Sequence, residues 1–548
     1  MPSSTLNHFP DLSAARIHYW SSDWGAEWMP HTQSANTPID ITVEAGRSSK
    51  GYHPFLIIED GERSYILAIM WSGNWSLKTM VSGNSLAVAI DSDNPNLDVL
   101  THSSHHGGMD SASRALITSF RAIDTQHSHS LLKMEWNSWW PYEDSDVNER
   151  VIIDNAKIAK EIGLEVAVLD AGWFGASDSA SHWYDFRGDW DDVNRSRFPH
   201  GLASLGDAVR SQGVDFGIWI EIEALGVRSR IVAEFPTFMA KRDGKDLGYL
   251  CFGNPDGYQW ATVQIQHLID TCKATWVKID FNLDPKTGCN RDDHAHSHDL
   301  GLTSHIDNLY RFLDELHERN PDLTIESCSS GGLRWDLGIA LHVDLGFTSD
   351  PDWPEHALSA FWASSLFFPP EKVLGWCDSE WKGDHAHQGF KIADQDLQRL
   401  EFLLAVTLLG AFGLSQKLCD FNTQQIQTAK TFIAIYKDEF RPRYQDQAFI
   451  RRLSAQPLRE NEGARTVGFA IESDHFEPLL LIYQLPGAAT ALPITYGPAD
   501  KSSRYRAINL MTGEEILSAQ QSNFEFEVSS IDYSYLLVKF EKIDEYLS

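Results

Sequence analysis

From residue 131 to about residue 447, short apolar runs alternate with segments of helical period, and this repeat restricts the fold more than any other feature of the chain. The runs EVAVLD, FGIWIE, WVKID, LTIES and DLGFT are separated by stretches such as ERVIIDNAKIAKEIG and SHIDNLYRFLDELHERN, whose apolar residues recur every three or four positions. A strand that returns to a parallel neighbour through a helix builds a parallel sheet. At least six such units within roughly 300 residues suit a closed (β/α)8 barrel, with an open doubly wound sheet as the alternative. On either side the period changes to two. HPFLIIE, SYILAIMW and SLAVAID before the repeat, and TVGFAIES, PLLLIYQL, FEFEVSS and YSYLLVKF after it, alternate between Gly, Asn, Asp and Ser turns. The expected organisation is an N-terminal β-sandwich over 1–125 without a helix, an α/β barrel over 126–447, and a C-terminal antiparallel β-sandwich over 448–548.

A chain of 548 residues, 42% hydrophobic and 11% aromatic, exceeds one compact domain and agrees with that division. The formal charge of -32 repels phosphate backbones and anionic bilayers, so nucleic acid and membranes are not expected partners; a neutral ligand fits better. The first twenty residues lack a basic and an apolar region, and the longest apolar run, FLLAVTLLGAFGL, is too short to span a bilayer, which points to the cytoplasm. Cys251, Cys272, Cys289, Cys328, Cys377 and Cys419 are scattered without a CxxC pair, so reduced, mostly packed thiols and no zinc site are expected.

Reactive groups of a parallel barrel lie at the C-terminal ends of its strands. Here those ends read Trp136-Asn137-Ser138-Trp139, Asp170-Ala171-Gly172-Trp173, Trp219-Ile220-Glu221, Lys278-Ile279-Asp280, Glu326-Ser327-Cys328 and Thr348-Ser349-Asp350. Carboxylates, aromatic faces and one lysine converge on one mouth. Cleaving a glycosidic acetal requires one carboxylate to trap the oxocarbenium and another to protonate the leaving oxygen, while aromatic rings bind the apolar face of a pyranose. Lys278 and Asp280, two apart on one strand, point to the same side, either as parts of such a site or as a structural ion pair.

These motifs, together with GDW at 188–190, the FPHGLASL segment and Glu326-Ser327-Cys328-Ser329-Ser330-Gly331-Gly332, stand in the order and spacing of glycoside hydrolase family 36, which nearly the whole chain resembles. The resemblance implies a retaining α-glycosidase, first of all an α-galactosidase acting on α-D-galactosides. It places the nucleophile at Asp280 and the general acid/base at Asp350. Asp170, Trp219, Lys278 and Cys328 are then sugar-contacting residues, Trp139 or Trp136 walls the pocket, and Trp75 belongs to a sandwich loop, Trp71-Ser72-Gly73-Asn74-Trp75, set toward the sugar. The resemblance also implies oligosaccharide or glycoside substrates, no metal or organic cofactor, and a homo-oligomer.

The chain departs from the family pattern twice. Asp170-Ala171-Gly172-Trp173 stands where the family has two consecutive aspartates reading the sugar's O4 and O6, so a glycone altered at C4 or C6 is an alternative, as are N-acetylgalactosaminide, α-glucoside and β-L-arabinopyranoside. Asp350-Pro351-Asp352-Trp353 reshapes the loop after the acid and makes Asp352 a rival for that role. Transglycosylation and silent sugar binding are the remaining readings. His294, His296, His298 and His305 are expected in a solvent-facing or subsite-lining loop rather than on a metal; Glu221 and Glu223 are expected to bind backbone amides or basic side chains; and Asp185–Trp190 reads equally as a lid or an Arg–Asp pair.

Overall fold

The structure, a computed structural model, describes residues 3–124, 132–178, 181–350, 354–378, 396–459, 462–487, 490–498, 500, 503–520 and 523–543. Eight parallel strands close into a barrel in chain order: β1 (Glu135–Asn137), β2 (Val166–Leu169), β3 (Asp215–Ile220), β4 (Trp276–Ile279), β5 (Thr324–Ser327), β6 (Leu345–Phe347), β7 (Val373–Asp378) and β8 (Ala411–Ser415), with β8 pairing back onto β1. Both faces of these strands are covered, which is why they read as nearly continuous apolar runs. Val166 and Val168 of β2 pack inward with Trp276, Leu345, Phe347 and Trp376, whereas Ala167 and Leu169 join the larger core beneath the surrounding helices.

Local chemistry fixes several helix ends. Asn148 caps the helix Glu149–Ile162 by accepting from the amides of Arg150 and Val151, and Gly163 ends it in the left-handed region at φ 103°. Asn254 caps Pro255–Cys272 in the same manner, with proline at the first helical position. The strand β8 is concealed in sequence by the apolar helix before it. FLLAVTLLGAFGL is one apolar run in sequence but two elements in the fold, the helix Leu397–Thr407 and β8, separated at Gly410 with φ 85°. Among the described residues no helix is long and apolar enough to cross a membrane.

The N-terminal part stacks a four-stranded sheet on a six-stranded sheet. Its strand Phe55–Glu59 is buried on both sides: Leu56 and Ile58 face the sandwich core, and Phe55 and Ile57 join the core shared with the barrel. That shared face carries an element absent from the sequence reading. Gly108–Ile123 is a helix, not a strand or loop, and it buries Ala112, Leu116, Ile117 and Phe120. Those four positions follow an i, i+4, i+5, i+8 spacing, a helical stripe that a search for period-two alternation passes over. The C-terminal part pairs a six-stranded sheet with a two-stranded one around Ile482, Tyr496, Phe524 and Phe540. Gln456 ties all three parts: its side chain accepts from Trp20 and donates to the carbonyls of Trp28 and Ser359.

The helix Gly108–Ile123 seals the seam between sandwich and barrel, so Phe120, fully buried, is expected to cost about 3–5 kcal/mol on replacement by alanine. Thermal unfolding of Phe120→Ala checks this; an unchanged midpoint would mean that the seam does not depend on the helix.

Candidate active site

The barrel interior is charged at its C-terminal end. Lys278 on β4 projects inward and meets Asp170, just beyond β2, at 3.1 Å, with both side chains 4% exposed. Its ammonium also lies 4.2 Å from the centre of the Trp376 ring and 5.1 Å from that of Phe347. Burial opposes the charge on Lys278, but Asp170, followed by Cys328, Glu326 and Asp280, raises its pKa well above the usual value. Deeper carboxyls are held differently. Glu135 and Glu326 are buried beside each other and both shift upward, chiefly through burial; Trp376 donates to the first and Trp276 to the second. Asn137 donates to Asp170 at 3.0 Å, and the Asp170 amide donates to the hydroxyl of Ser138. Lys278 therefore pairs with Asp170 rather than with its near neighbour Asp280.

Asp280 follows β4 directly, and four donors converge on its carboxylate. The amides of Phe281 and Ser330 reach Oδ1 at 2.8 and 3.2 Å, while Trp219 Nε1 and Asn282 Nδ2 reach Oδ2 at 3.2 and 2.9 Å. The carboxylate plane is fixed from both sides. Gly331, next to Ser330, has φ 73°, and a Cβ there would stand 2.6 Å from the amide nitrogen of Asp350. The glycine lets the loop after β5 pass between the two aspartates. Burial first, and Asp280 second, raise the pKa of Asp350 to about 7, against the opposing pull of Lys278 and of a hydrogen bond from Trp24.

That tryptophan comes from the N-terminal sandwich. Trp24 Nε1 donates to Asp350 Oδ2 at 2.9 Å across 326 positions of sequence. Glu27 follows it into the same region, pushed up to about 8 by burial, and accepts from Ser349, the neighbour of Asp350, at 2.8 Å. Arg47 enters from the same side, pairs with Asp284, and donates to the carbonyls of Phe281 and Ser329 and the hydroxyl of Ser330. It thus braces the two loops that supply donors to Asp280. Nothing in the local sequence of Trp24, Glu27 or Arg47 distinguishes them from other sandwich residues.

The remaining sequence candidates divide. Asp170, Trp219, Lys278 and Cys328 lie in the barrel beside Asp280. Trp139, partly exposed, meets Trp183 edge to face at 6.1 Å, and Trp183 meets Trp219 at 5.3 Å, so these three rings form an aromatic wall. Trp136 is not part of it: it is fully buried in the outer core and donates to the carbonyl of Gln416, because on β1 the neighbours Glu135 and Asn137 take the inward positions. Trp75 is likewise displaced from the expected sugar site, 3% exposed in the sandwich core with Nε1 on the Ser48 carbonyl. Glu221 accepts from Arg187 and from the Asn282 amide, and Glu223 from Arg334 and His305, which makes both structural anchors. Arg187 of the Asp185–Trp190 loop is thereby committed to the scaffold. Asp352 lies outside the described residues. The four histidines divide: His305 lies on the helix Gly301–Arg319 at 1% exposure and His294 in the loop at 6%, His298 is exposed, and Cys251, Cys289, His294 and His296 approach one another.

Comparison with known proteins places this geometry in context. The melibiase family model matches residues 101–443. Alpha-galactosidase AgaA of Geobacillus stearothermophilus is 29% identical over 378 residues, covering 65% of this chain and 47% of that protein, so the match spans about half the length of that relative. An alpha-galactosidase structure from Lactobacillus brevis superposes with a TM-score of 0.85 at 19% identity over 99% of this chain and 75% of that one. A variant of the Geobacillus enzyme in complex with raffinose superposes with a TM-score of 0.82 at 22% identity over 98% and 76%.

Replacing Lys278 by methionine strands Asp170 and the neighbouring buried carboxyls without a cation, and is expected to cost about 3–5 kcal/mol. Thermal and urea unfolding report the loss; a variant as stable as the parent would show that the ion pair does not organise the barrel interior.

Proposed function

We propose, on the premise that this chain belongs to the melibiase family, that it hydrolyses α-D-galactosides with retention of configuration, using Asp280 as nucleophile and Asp350 as general acid/base. The observation that carries this reading is the contrast between the two carboxyls. Asp280 is oriented by four donors, whereas Asp350 has a pKa of about 7 set by burial and by Asp280 itself. One group is held in place to attack and the other keeps a proton to give, the division that double displacement requires.

In the first step an Asp280 oxygen bonds to the anomeric carbon while the glycosidic carbon–oxygen bond breaks, and Asp350 protonates the departing oxygen. In the second, Asp350 takes a proton from water as its oxygen attacks the anomeric carbon and releases Asp280. Asp170 and Lys278 offer an acceptor and a donor for sugar hydroxyls, and Trp139, Trp183 and Trp219 offer apolar faces. Binding of raffinose by the related Geobacillus enzyme supports raffinose-type substrates. Ala171, buried at 2% exposure, replaces a second acidic reader, so N-acetylgalactosaminide, α-glucoside and β-L-arabinopyranoside belong in the same substrate panel.

Nitrophenyl glycosides of both anomers test the reading. The α-galactoside is expected to be cleaved, with Asp280→Ala lower by on the order of 10⁴-fold or more and partly rescued by azide to give the β-galactosyl azide. A panel inert throughout, or an active Asp280→Ala, would overturn it. The proton on Asp350 gives a second prediction. A carboxyl raised to about 7 is protonated below that pH and loses its proton above it, so kcat/KM should fall on the alkaline side of about pH 7. Trp24→Phe removes a hydrogen bond that lowers this pKa, and the alkaline limb should move upward; a limb that stays in place would assign it to another group.

A further inference from the structure

The loop after β4 carries Cys289, His294 and His296, and the hairpin that follows β3, Met239–Arg242 with Lys245–Leu250, ends at Cys251. One potential ligand atom from each of these four side chains lies within 4.8 Å of all the others. Cys251 Sγ is 3.4 Å from His296 Nε2, and Cys289 Sγ is 3.5 Å from His294 Nδ1. In a tetrahedral site with Zn–S near 2.3 Å and Zn–N near 2.0–2.1 Å, the sulfur-to-nitrogen edge is about 3.5 Å. The two cysteines are free thiols, not a disulfide.

The surroundings are those of a ligand set. His294 places its other ring nitrogen, Nε2, 2.8 Å from the Thr237 carbonyl, and His296 places Nδ1 3.1 Å from the Ser297 carbonyl. A carbonyl only accepts, so each of these nitrogens carries the proton and leaves the lone pair of the other one facing a cysteine sulfur. Gly253 leaves room for the His296 ring, which a Cβ at that position would overlap. Two thiols and two imidazoles are a donor set suited to zinc and poor for magnesium or calcium.

We propose that Cys251, Cys289, His294 and His296 hold a structural zinc ion that staples the hairpin after β3 to the loop after β4. All four tetrahedral positions are taken by protein, leaving none for water or substrate, so the ion serves architecture rather than chemistry. Its place gives it a task. Cys251 and Cys289 pack with Tyr249 and Phe281 in one small apolar cluster, and Phe281 follows Asp280 and donates its amide to that carboxylate. The hairpin and loop are also joined by Asn290, which bonds Lys241 and Asp243, and by the Ala295 amide on the Gly253 carbonyl. The zinc ion closes the same seam.

The test needs no turnover. Full-length protein produced with zinc in the medium and dialysed against metal-free buffer is analysed for all transition metals, beside Cys251→Ser/Cys289→Ser. About one zinc per chain in the parent and at least a tenfold lower content in the variant are expected. Apoprotein titrated with Co²⁺ should show the intense visible bands of tetrahedral cobalt and a thiolate-to-cobalt charge-transfer band, saturating at one equivalent. Chelation should lower the Tm of the parent and leave that of the variant unmoved. A parent that carries no zinc and gives no tetrahedral cobalt spectrum overturns the proposal. So does a Cys251–Cys289 disulfide found by mass, or zinc retained by the double variant. If the variant fails to fold, metal content and cobalt spectrum of the parent still decide.

Discussion

A single ammonium in the barrel holds the site together. Lys278 is the cation around which Asp170, Glu326, Glu135 and Asp280 are arranged, and an unpaired carboxylate at that depth would cost several kcal/mol. Its pair with Asp170 joins β4 to the end of β2, and its contact with Trp376 and Phe347 ties it to β7 and β6. The same charge pulls down the pKa of Asp350 against burial and Asp280. Lys278 thus bears on position, charge and proton affinity in the mouth of the barrel at once.

The barrel does not complete the site alone. Trp24 and Glu27 come from the N-terminal sandwich to the segment carrying Asp350, and Arg47 grips the loops around Asp280. This gives the sandwich a role that sheet packing alone would not require. The shared apolar face of Phe55, Ile57 and the helix Gly108–Ile123 packs the sandwich against the barrel beside those polar contacts. Gln456 in turn binds the C-terminal part to Trp20 and Trp28, close in sequence to Trp24.

Residues that lie close in sequence on one element were legible; residues brought together by folding were not. Lys278 and Asp280 are two apart on a strand end, so period two alone puts both on the same side. Of the two tryptophans that the resemblance offered as a pocket wall, Trp136 faces the outer core, because neighbouring residues of a barrel strand face opposite ways and Glu135 and Asn137 already hold the interior. Trp75, which the resemblance set toward the sugar, is instead buried in the sandwich core with its indole on the backbone of Ser48. The Cys–His cluster has no local signature, since its two cysteines are separated by a helix and β4.

What the sequence by itself determined is the order of the parts and the inventory: alternating periods of 3.6 and two give a parallel α/β part between two antiparallel ones, and strand-end residues nominate Asp170, Lys278, Asp280 and Asp350, whereas closure of the barrel is a tertiary fact. Hydrophobic periodicity is a property of neighbours along the chain and survives without coordinates. What only the tertiary structure decided is which cation meets which carboxylate, which tryptophan donates to Asp350, and that two thiols and two imidazoles share one point. Proton affinity and ligand geometry depend on distance and burial in space, and the contact between Trp24 and Asp350 spans 326 residues of chain.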